Sequence, residues 1–363
     1  MAGTPGSSSD AARAEMAWLL EAAQSIVSDV LSRQRREMSA ISTDLTPLVD
    51  HLADLMGGGK RLRPAFCYWG WRASGGGQTM EAARAATALE FLQACALIHD
   101  DVMDGSDTRR GLPAAHRLFA TLHRGSQWLG SHEAFGVGAA ILLGDLCLSW
   151  ADEVLLTSGI APDGLVRGKQ VYDEMRTELM AGQYLDLLEQ ARGGGSVERA
   201  MAVVRYKSAK YTIERPLLLG AALAGATSVT VDALSAYGLP LGEAFQLRDD
   251  VLGVFGDPAE TGKPAGDDLR EGKQTVLIAL AAERATPTQS ELLRRHLGDP
   301  ALGLDGIESL RDVLRDTGAL ADTEKLIDDL LQRSMDSLAA SDVDEESRSA
   351  LEGLATAATR RSV

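Results

Sequence analysis

The sequence predicts an all-α fold. Ala, Leu, Glu and Arg, residues of high helix propensity, dominate its periodic segments. No segment of convincing length alternates apolar and polar residues as a half-buried strand would. Glycine clusters interrupt the helical pattern at Gly75–Gly77, at Gly193–Gly195 and again across residues 256–272. Together these observations predict a bundle of helices joined by glycine-containing loops.

The individual helices follow from the spacing of apolar residues and from the breaks between them. Residues 1–12 are rich in Gly, Ser and Ala, so we expect them to be disordered. The predicted helices span residues 14–38, 45–56, 62–74, 79–103, 113–122, 133–157, 165–190, 197–212, 214–226, 229–254, 273–284, 288–296, 304–317, 319–340 and 344–359.

Length and composition predict one domain in a reducing compartment. The chain has 363 residues, 45% of them hydrophobic, and nothing marks a second domain, so we assign residues 13–363 to one helical domain. A net charge of −16 argues against nucleic acid or an anionic membrane surface as a general partner. Cys67, Cys95 and Cys147 have no paired spacing. We find no apolar run of membrane-spanning length and no signal peptide, and we expect a cytoplasmic protein.

The first acidic motif consists of Asp100, Asp101 and Asp104. On a helix these three carboxylates fall within an arc of about 100°. Like charges this close are unfavourable unless a cation lies between them. A solvated helix end is the usual interpretation of such a cluster, but the preceding run from Glu90 to Ile98 is mostly apolar and indicates a buried helix. A few carboxylates suit Mg²⁺, which shares its remaining positions with water and phosphate.

The second acidic motif follows about 150 residues later and consists of Gln246, Asp249 and Asp250. It also follows an apolar run on a predicted helix, and Gln246 shares a helix face with Asp249. The two motifs can meet only if their helices face each other, and side chains projecting inward from facing helices build the metal sites of helical bundles. The pair of motifs therefore predicts a site for a magnesium diphosphate.

Basic residues supply the opposite charge. Lys60, Arg61 and Arg63 lie within four residues at a predicted helix start, where cations oppose the helix dipole unless an anion joins them. Arg109 and Arg110 follow the first acidic motif closely. A guanidinium group can form two hydrogen bonds to phosphate oxygens at once, so these residues predict phosphate recognition.

The ordered set of motifs resembles the trans-isoprenyl diphosphate synthases, the polyprenyl synthetase family. The resemblance extends over roughly residues 45–331 and comprises, in chain order, Gly58–Pro64, the first acidic motif, Arg109–Gly111, Lys207–Ser208, the second acidic motif and Gly262–Lys263. It implies an isoprenoid-synthase-type bundle of about ten to thirteen helices around a deep central cavity. It also implies a homodimer, for which the apolar segment 135–156 could provide the interface; the same segment could equally form the core of a monomer.

The resemblance implies a role for each basic residue. The diphosphate of isopentenyl diphosphate would be surrounded by Lys60, Arg61, Arg63 and Arg110, and Arg109 would turn to the allylic diphosphate. Lys207 and Ser208 resemble the family's Lys-Thr pair, with Lys210 as a competing alignment. In the family the lysine binds the allylic diphosphate and the hydroxyl lies near the developing allylic cation, a task that Gln246 would share. Two further lysines would close over the same diphosphate: Lys263 and Lys273.

Two positions depart from the family pattern. Gln93 stands where the family usually has a histidine; its amide can donate to a phosphate oxygen but carries no charge, so we expect weaker isopentenyl diphosphate binding at most. Gly253 stands where the family usually has a third aspartate, and the next acid in the chain is Asp257. The family's third aspartate tends to act through water, so the two remaining aspartates could suffice for one metal ion.

The reaction implied by the resemblance is ionisation followed by addition. Mg²⁺, as three ions bound with the allylic diphosphate, and the basic residues would neutralise the leaving diphosphate, so that the allylic C–O bond breaks to an allyl cation. The isopentenyl double bond then attacks, and a proton is lost to the departed diphosphate. The allylic partner would be dimethylallyl, geranyl or farnesyl diphosphate.

Product length follows from the depth below the first acidic motif. One helical turn, roughly 6 Å, below the metal-facing end lie Ala96 and Cys95, whose small side chains leave the space open. Leu92, Phe91 and Leu89 are candidate floors further down. Small residues also permit close helix packing, which is the alternative interpretation. We predict geranylgeranyl diphosphate as the main product.

Other functions compete with this prediction. A farnesyl or geranylfarnesyl diphosphate synthase would share every motif. A class I terpene cyclase would need an Asn/Ser/Glu-type second metal motif, which we do not find. A phosphohydrolase of the HD type would want further metal-binding histidines, but the other histidines are scattered and none precedes an aspartate. A non-catalytic partner subunit should have lost aspartates of the first acidic motif.

Overall fold

The structure, a computed structural model, describes residues 5–256 and 266–359, with side chains described from residue 9 onward. The all-α prediction is confirmed, since the described residues form helices, connecting turns and one hairpin of two-residue strands. We expected residues 1–12 to be disordered, but helix α1 already begins at Pro5.

The chain divides into two compact units, described in turn below. Unit 1 comprises Met1–Tyr68 and Gly77–Leu165, and unit 2 comprises Trp69–Gly76 and Val166–Val363. One domain over residues 13–363 therefore stays a prediction. The elements that begin in unit 1 are α1 Pro5–Ile41, a 3₁₀ turn Thr43–Leu45, α2 Thr46–Met56, α3 Leu62–Arg72, α4 Met80–Asp104, β1 Thr108–Arg109, β2 Leu112–Pro113, α5 Ala115–Gly125, α6 His132–Leu156 and α7 Pro162–Arg192.

Helix α4 carries the first acidic motif at its carboxyl end. It begins after Thr79, whose side chain accepts a hydrogen bond from the backbone N–H of Ala82, and it ends at Gly105, whose φ of +69° suits glycine. Buried alanines on α4 and glycines on α6 allow these two helices to pack closely. For example, a Cβ added at Gly144 would overlap the ring of His99.

Helix α6 is long and apolar enough to cross a membrane by these two criteria alone. This differs from the expectation that no apolar run reaches such a length. Core helices of soluble proteins meet the same criteria, and α6 packs against α4 and α5.

Unit 2 is built around α10, which packs mainly against α15 and a π-helix. Its elements after α7 are α8 Val197–Val203, the π-helix Val204–Glu214, α9 Arg215–Ala224, α10 Ser228–Phe255, α11 Asp267–Glu271, α12 Val276–Arg284, α13 Pro287–His296, α14 Leu304–Asp316, α15 Ala319–Ala339 and α16 Glu345–Thr359. The short helix α11 lies in the segment for which we expected only a loop.

The π-helix replaces part of the α-helix predicted over residues 197–212. Glycines of two neighbouring helices leave room for its wider backbone. A Cβ added at Gly182 of α7 would overlap the backbone of Lys207, and one at Gly242 of α10 would lie 2.5 Å from the carbonyl oxygen of Ala209. π-turns are frequent at functional sites, and Lys207, which stays a predicted site residue, lies in this segment.

Candidate active site

A tight hairpin carries the two arginines that follow the first acidic motif. Arg110, with a φ of +53°, lies in the two-residue turn between β1 and β2, which requires a left-handed backbone. Nε of Arg109 donates to Oδ1 of Asp101 at 2.9 Å. Nη1 of Arg110 donates at 2.9 Å to the backbone carbonyls of Leu55 and Gly58. The hairpin thus joins the first acidic motif to the loop that bears the basic residues.

Four arginines form a basic cluster in unit 1, which comprises Arg61, Arg63, Arg109 and Arg110. Burial is the main reason that the pKa of Arg110 is lowered, and the charges of the other three arginines lower this pKa further, whereas Glu90 opposes them. Like charges gathered in this way favour an anionic ligand, because an anion relieves their repulsion.

Arg61 is engaged differently from the sequence expectation. Its guanidinium is buried, forms an ion pair with Glu90 and donates at 2.7 Å to Gln24 Oε1 and to the carbonyl of Met56. Lys60 is exposed and Arg63 is half-buried. The structure therefore commits Arg61 to protein acceptors that hold the basic loop against α1, α2 and α4.

The first acidic motif is arranged around Arg109. Asp101 is buried and accepts from Arg109, whose Nη2 also lies 3.9 Å from Oδ2 of Asp100. Asp100 and Asp104 are half-buried, as is Gln93 two turns earlier. Gln93, Ala96, Asp100 and Asp104 recur at spacings of three and four residues, so they share one face of α4.

Cys95 faces a different side of α4. Its Sγ lies 3.8 Å from Nδ1 of His99, and Nε2 of His99 lies 3.0 Å from the carbonyl oxygen of Ile141 on α6. Burial, with a smaller effect of Asp145, raises the pKa of the Cys95 thiol to about 12. Of the three residues that we expected to set product length, Ala96 shares the face of the acidic motif, Cys95 packs toward α6 and Leu92 is fully buried.

The second acidic motif concentrates negative charge at the end of α10. Nε2 of Gln246 donates to Oδ1 of the buried Asp250 at 2.8 Å. Burial raises the pKa of Asp250 to about 8, the charges of Asp268 and Asp249 raise it as well, and Gln246 and Lys273 act in the opposite direction. A bound divalent cation would relieve this accumulation of carboxylates.

Lys207 is held by an acid that the sequence reasoning missed. Its Nζ donates at 2.6 Å to Oδ2 of Asp186 on α7, and Ser208 beside it is half-buried. The competing Lys210 instead donates at 2.6 Å to Glu178, which also accepts from Arg215. The sequence did contain a signal for Asp186, which is the one acid in the otherwise apolar run Leu185–Leu188. A charge buried in such a run needs a partner.

The remaining predicted lysines belong to the segment after α10. Lys273 donates at 3.1 Å to Oδ1 of Asp268 and lies 2.9 Å from Oε2 of Glu271. Lys263 and Asp257 lie outside the described residues.

The donor set fits magnesium. Within residues 5–256 and 266–359, the protein alone forms no group of three or more His, Cys, Asp or Glu side chains that could hold a metal ion. Mg²⁺ is bound through one or two carboxylates together with water and substrate phosphates rather than by an all-protein cage. The aspartates of each acidic motif supply carboxylates of this kind.

Comparisons with known proteins agree with this geometry. Residues 45–312 match the family model of polyprenyl synthetases. The chain is 34% identical over 305 residues to a geranylfarnesyl diphosphate synthase of Aeropyrum pernix, an alignment that covers 81% of this chain and 87% of that protein. It is 31% identical to a geranylgeranyl diphosphate synthase of Mycobacterium tuberculosis, over 77% of this chain and 75% of that one.

Solved structures give the same result. A geranylgeranyl pyrophosphate synthase from Corynebacterium glutamicum, complexed with isoprenyl diphosphate and magnesium, superposes with a TM-score of 0.91 and 42% identity. That alignment covers 95% of this chain and 99% of the other.

Proposed function

Because the chain belongs to the polyprenyl synthetase family, we propose that it is a trans-prenyltransferase that condenses isopentenyl diphosphate with an allylic diphosphate to give geranylgeranyl diphosphate. The observation that carries the proposal is the contact between Arg109 and Asp101, at 2.9 Å. It links a carboxylate motif suited to Mg²⁺ with a cluster of arginines suited to phosphate, and a metal-bound diphosphate needs both.

The two substrates bind to different residues. Isopentenyl diphosphate is bound by Lys60, Arg63 and Arg110, with Gln93 as an uncharged donor. Arg61 positions the loop that carries Lys60 and Arg63, since its own guanidinium is buried against Glu90. The allylic diphosphate is bound by Arg109, Lys207 and the segment that carries Lys273.

The aspartates of the two acidic motifs would hold Mg²⁺, as three ions, which when bound would supply positive charge against the leaving diphosphate. The Nζ of Lys207, fixed by Asp186, donates to the same diphosphate. The hydroxyl of Ser208 and the amide oxygen of Gln246 stabilise the positive charge that develops on the allylic carbon. The proton lost after addition passes to the released diphosphate.

Product length depends on the face of α4 that bears the first acidic motif. Ala96 lies one turn below Asp100 on that face, and Leu92 lies one turn further down. The growing chain passes Ala96 and stops at the fully buried Leu92. Because the Aeropyrum pernix relative is a geranylfarnesyl diphosphate synthase, a product longer by one isoprene unit is the second candidate.

We also propose a homodimer in the cytoplasm. Helix α6 exposes Phe135, Ile141, Leu142 and Leu156, and an apolar group of this kind is typical of an interaction surface. The three cysteines are buried, which accords with small core residues in a reducing compartment. Light scattering on wild type and on Leu142→Asp, a side chain that is 63% exposed, tests the interface: the proposal predicts a dimer that dissociates in the variant.

One incubation tests the function. Purified protein is mixed with labelled isopentenyl diphosphate, Mg²⁺ and, separately, dimethylallyl, geranyl or farnesyl diphosphate, and the dephosphorylated products are separated by chromatography. The proposal predicts geranylgeraniol in all three mixtures. A hydrocarbon product would indicate a cyclase, and no product would indicate a non-catalytic subunit.

A further inference from the structure

A cavity of about 480 Å³ lies in unit 1 where α1, the first turns of α4 and the end of α6 meet. Its volume is in the range of sites that bind small molecules. Arg84, which lines it, precedes Asp100 on α4 by 16 residues, which is roughly 24 Å along the helix axis. None of the described residues that line this cavity belongs to the candidate active site.

Three arginines line the cavity: Arg33 and Arg36 from α1 and Arg84 from α4. The chain as a whole carries 52 acidic and 36 basic residues, so three guanidinium groups around one cavity depart from its average charge. Among the described lining residues, Asp29 is the one acid. A concave surface lined mainly by one sign of charge attracts ligands of the opposite sign, so this cavity favours an anion.

The contacts of two of these arginines leave donors unused. Arg33 forms an ion pair with Glu153, and Nη1 of Arg84 donates at 3.2 Å to the backbone carbonyl of Ser158. A carbonyl group is neutral, so this hydrogen bond does not cancel the charge of Arg84. Each guanidinium carries five N–H groups, of which these contacts use only some. When Asp29 and Glu153 are counted against the three arginines, one positive charge remains in excess.

Arg36 is the arginine most available to a ligand. It is exposed, and within the described part of the chain it has no hydrogen bond or ion pair. Ser32 lies one helical turn before Arg36 on the same face of α1 and adds a hydroxyl group to the cavity wall. Val30 and Val154 add apolar surface. The wall thus combines cationic donors, a hydroxyl group and an apolar patch.

We propose that this cavity binds the diphosphate group of a small molecule, at a site separate from the candidate active site. Guanidinium groups match phosphate oxygens in pairs, and several arginines with an excess of positive charge suit a multiply charged anion better than a single carboxylate. The cavity is larger than a diphosphate needs, and Val30 and Val154 can contact a tail attached to it. Because its residues take no part in the condensation, this site goes beyond the proposed function.

Calorimetric titration of inorganic diphosphate in the presence of EDTA tests the proposal without turnover. Wild type should show one site in the basic cluster of the candidate active site and a second site in this cavity. Arg36→Glu should weaken the second site at least about 10-fold, because it replaces a charge-assisted donor with a like charge. Arg35→Glu is the matched control, since Arg35 is exposed, pairs with Asp50 and does not line the cavity. Equal diphosphate binding by Arg36→Glu and Arg35→Glu would overturn the proposal.

A variant that fills the cavity separates a built site from general attraction by surface arginines. Ser32→Trp adds bulk to the wall without changing the charge, and we expect it to weaken the second site at least about 10-fold. Ser32→Ala, which removes only the hydroxyl group, should weaken binding less. Wild-type affinity in Ser32→Trp would mean that diphosphate is attracted by surface charge alone, and the proposal would fail.

Two further ligands identify the source of the diphosphate group. Geranyl diphosphate carries a prenyl tail and ADP carries a nucleoside, and each is titrated into wild type and Arg36→Glu in EDTA. Tighter Arg36-dependent binding of one of them than of inorganic diphosphate would support the proposal and identify the tail. Equal Arg36-dependent binding of all three would support recognition of the diphosphate group itself. No Arg36-dependent binding of any of the three would overturn the proposal.

The product assay keeps this site distinct from the proposed function. A wild-type protein that forms prenyl product but has no Arg36-dependent diphosphate site would contradict this inference alone. A wild-type protein that has the Arg36-dependent site but forms no prenyl product would contradict the proposed function alone.

Discussion

Arg248 and Glu324 form a two-pronged ion pair that ties α10 to α15, with Nη1 to Oε1 at 2.6 Å and Nη2 to Oε2 at 2.7 Å. Arg248 directly precedes Asp249 in the chain, and its side chain is only 14% exposed. The pair therefore holds the carboxyl-terminal turns of α10, where the second acidic motif lies, against a helix that carries no predicted site residue.

Arg248→Ala should destabilise the protein by about 1–3 kcal/mol, because it removes two charge-assisted hydrogen bonds and leaves Glu324 without them. Urea denaturation measures the change. Arg248→Lys should recover little, since an ammonium group cannot form the fork. The more exposed pair of Arg284 and Asp322 serves as the control, and Arg284→Ala should cost less than about 1 kcal/mol. Equal losses at the two pairs would contradict this assignment.

Asp186 should act on catalysis only through Lys207. Lys207→Met is expected to lower kcat/KM for the allylic substrate by about 10²-fold, as removal of one preorganised donor does. Asp186→Asn should lower it less, and the double variant should match Lys207→Met, because the two residues act as a unit. Lys210→Met is the control, with an expected loss of stability but not of kcat/KM. Additive effects of the two substitutions would show that Asp186 has an independent role.

Ala96→Phe should shorten the product to farnesyl diphosphate or less, because the new ring projects from the face of α4 that carries Asp100 and Asp104. Cys95→Phe places its ring toward His99 and α6, so we expect it to lower stability more than it changes product length. Product chromatography and thermal unfolding of both variants measure the two effects. An unchanged product from Ala96→Phe would remove this face as the determinant of chain length.

Gly144 of α6 should be irreplaceable where Gly353 of α16 is not, although both lie inside helices. A Cβ at Gly144 would overlap the ring of His99, so Gly144→Ala should cost about 1–3 kcal/mol and displace the residue next to Asp100. Gly353 has no atom within 4 Å of an added Cβ, and Gly353→Ala should stabilise its helix by about 0.5–1 kcal/mol. Thermal denaturation compares the two. Similar midpoints would contradict the close packing of α4 and α6.

The sequence predicted helices well because apolar spacing and capping residues are local signals. The predicted helix 79–103 corresponds to α4, which begins after the N-cap Thr79 and ends at Gly105. The π-helix was not predictable in this way, since its wider turns depend on Gly182 and Gly242 of neighbouring helices. The spacing of apolar residues along the chain does not reveal packing between helices that are distant in sequence.

The candidate site likewise contains residues that could be recognised from the sequence and residues that could not. Asp100, Asp101 and Arg109 were recognisable because several charged residues lie close together in this part of the sequence. Asp186 was missed, because it becomes important only through Lys207, which lies 21 residues further along the chain. The buried ion pair of Arg61 with Glu90 is a further case, since the sequence of the predicted phosphate-binding motif does not show that this guanidinium packs inward.

The rate of prenyl transfer in Asp100→Ala and Asp249→Ala, measured across a range of Mg²⁺ concentrations, tests the central claim most directly. The account predicts that each variant keeps the wild-type unfolding midpoint within a few degrees and loses at least about 10²-fold in rate, because each removes a carboxylate that holds the metal-bound diphosphate. Parental rates in either well-folded variant would contradict the account.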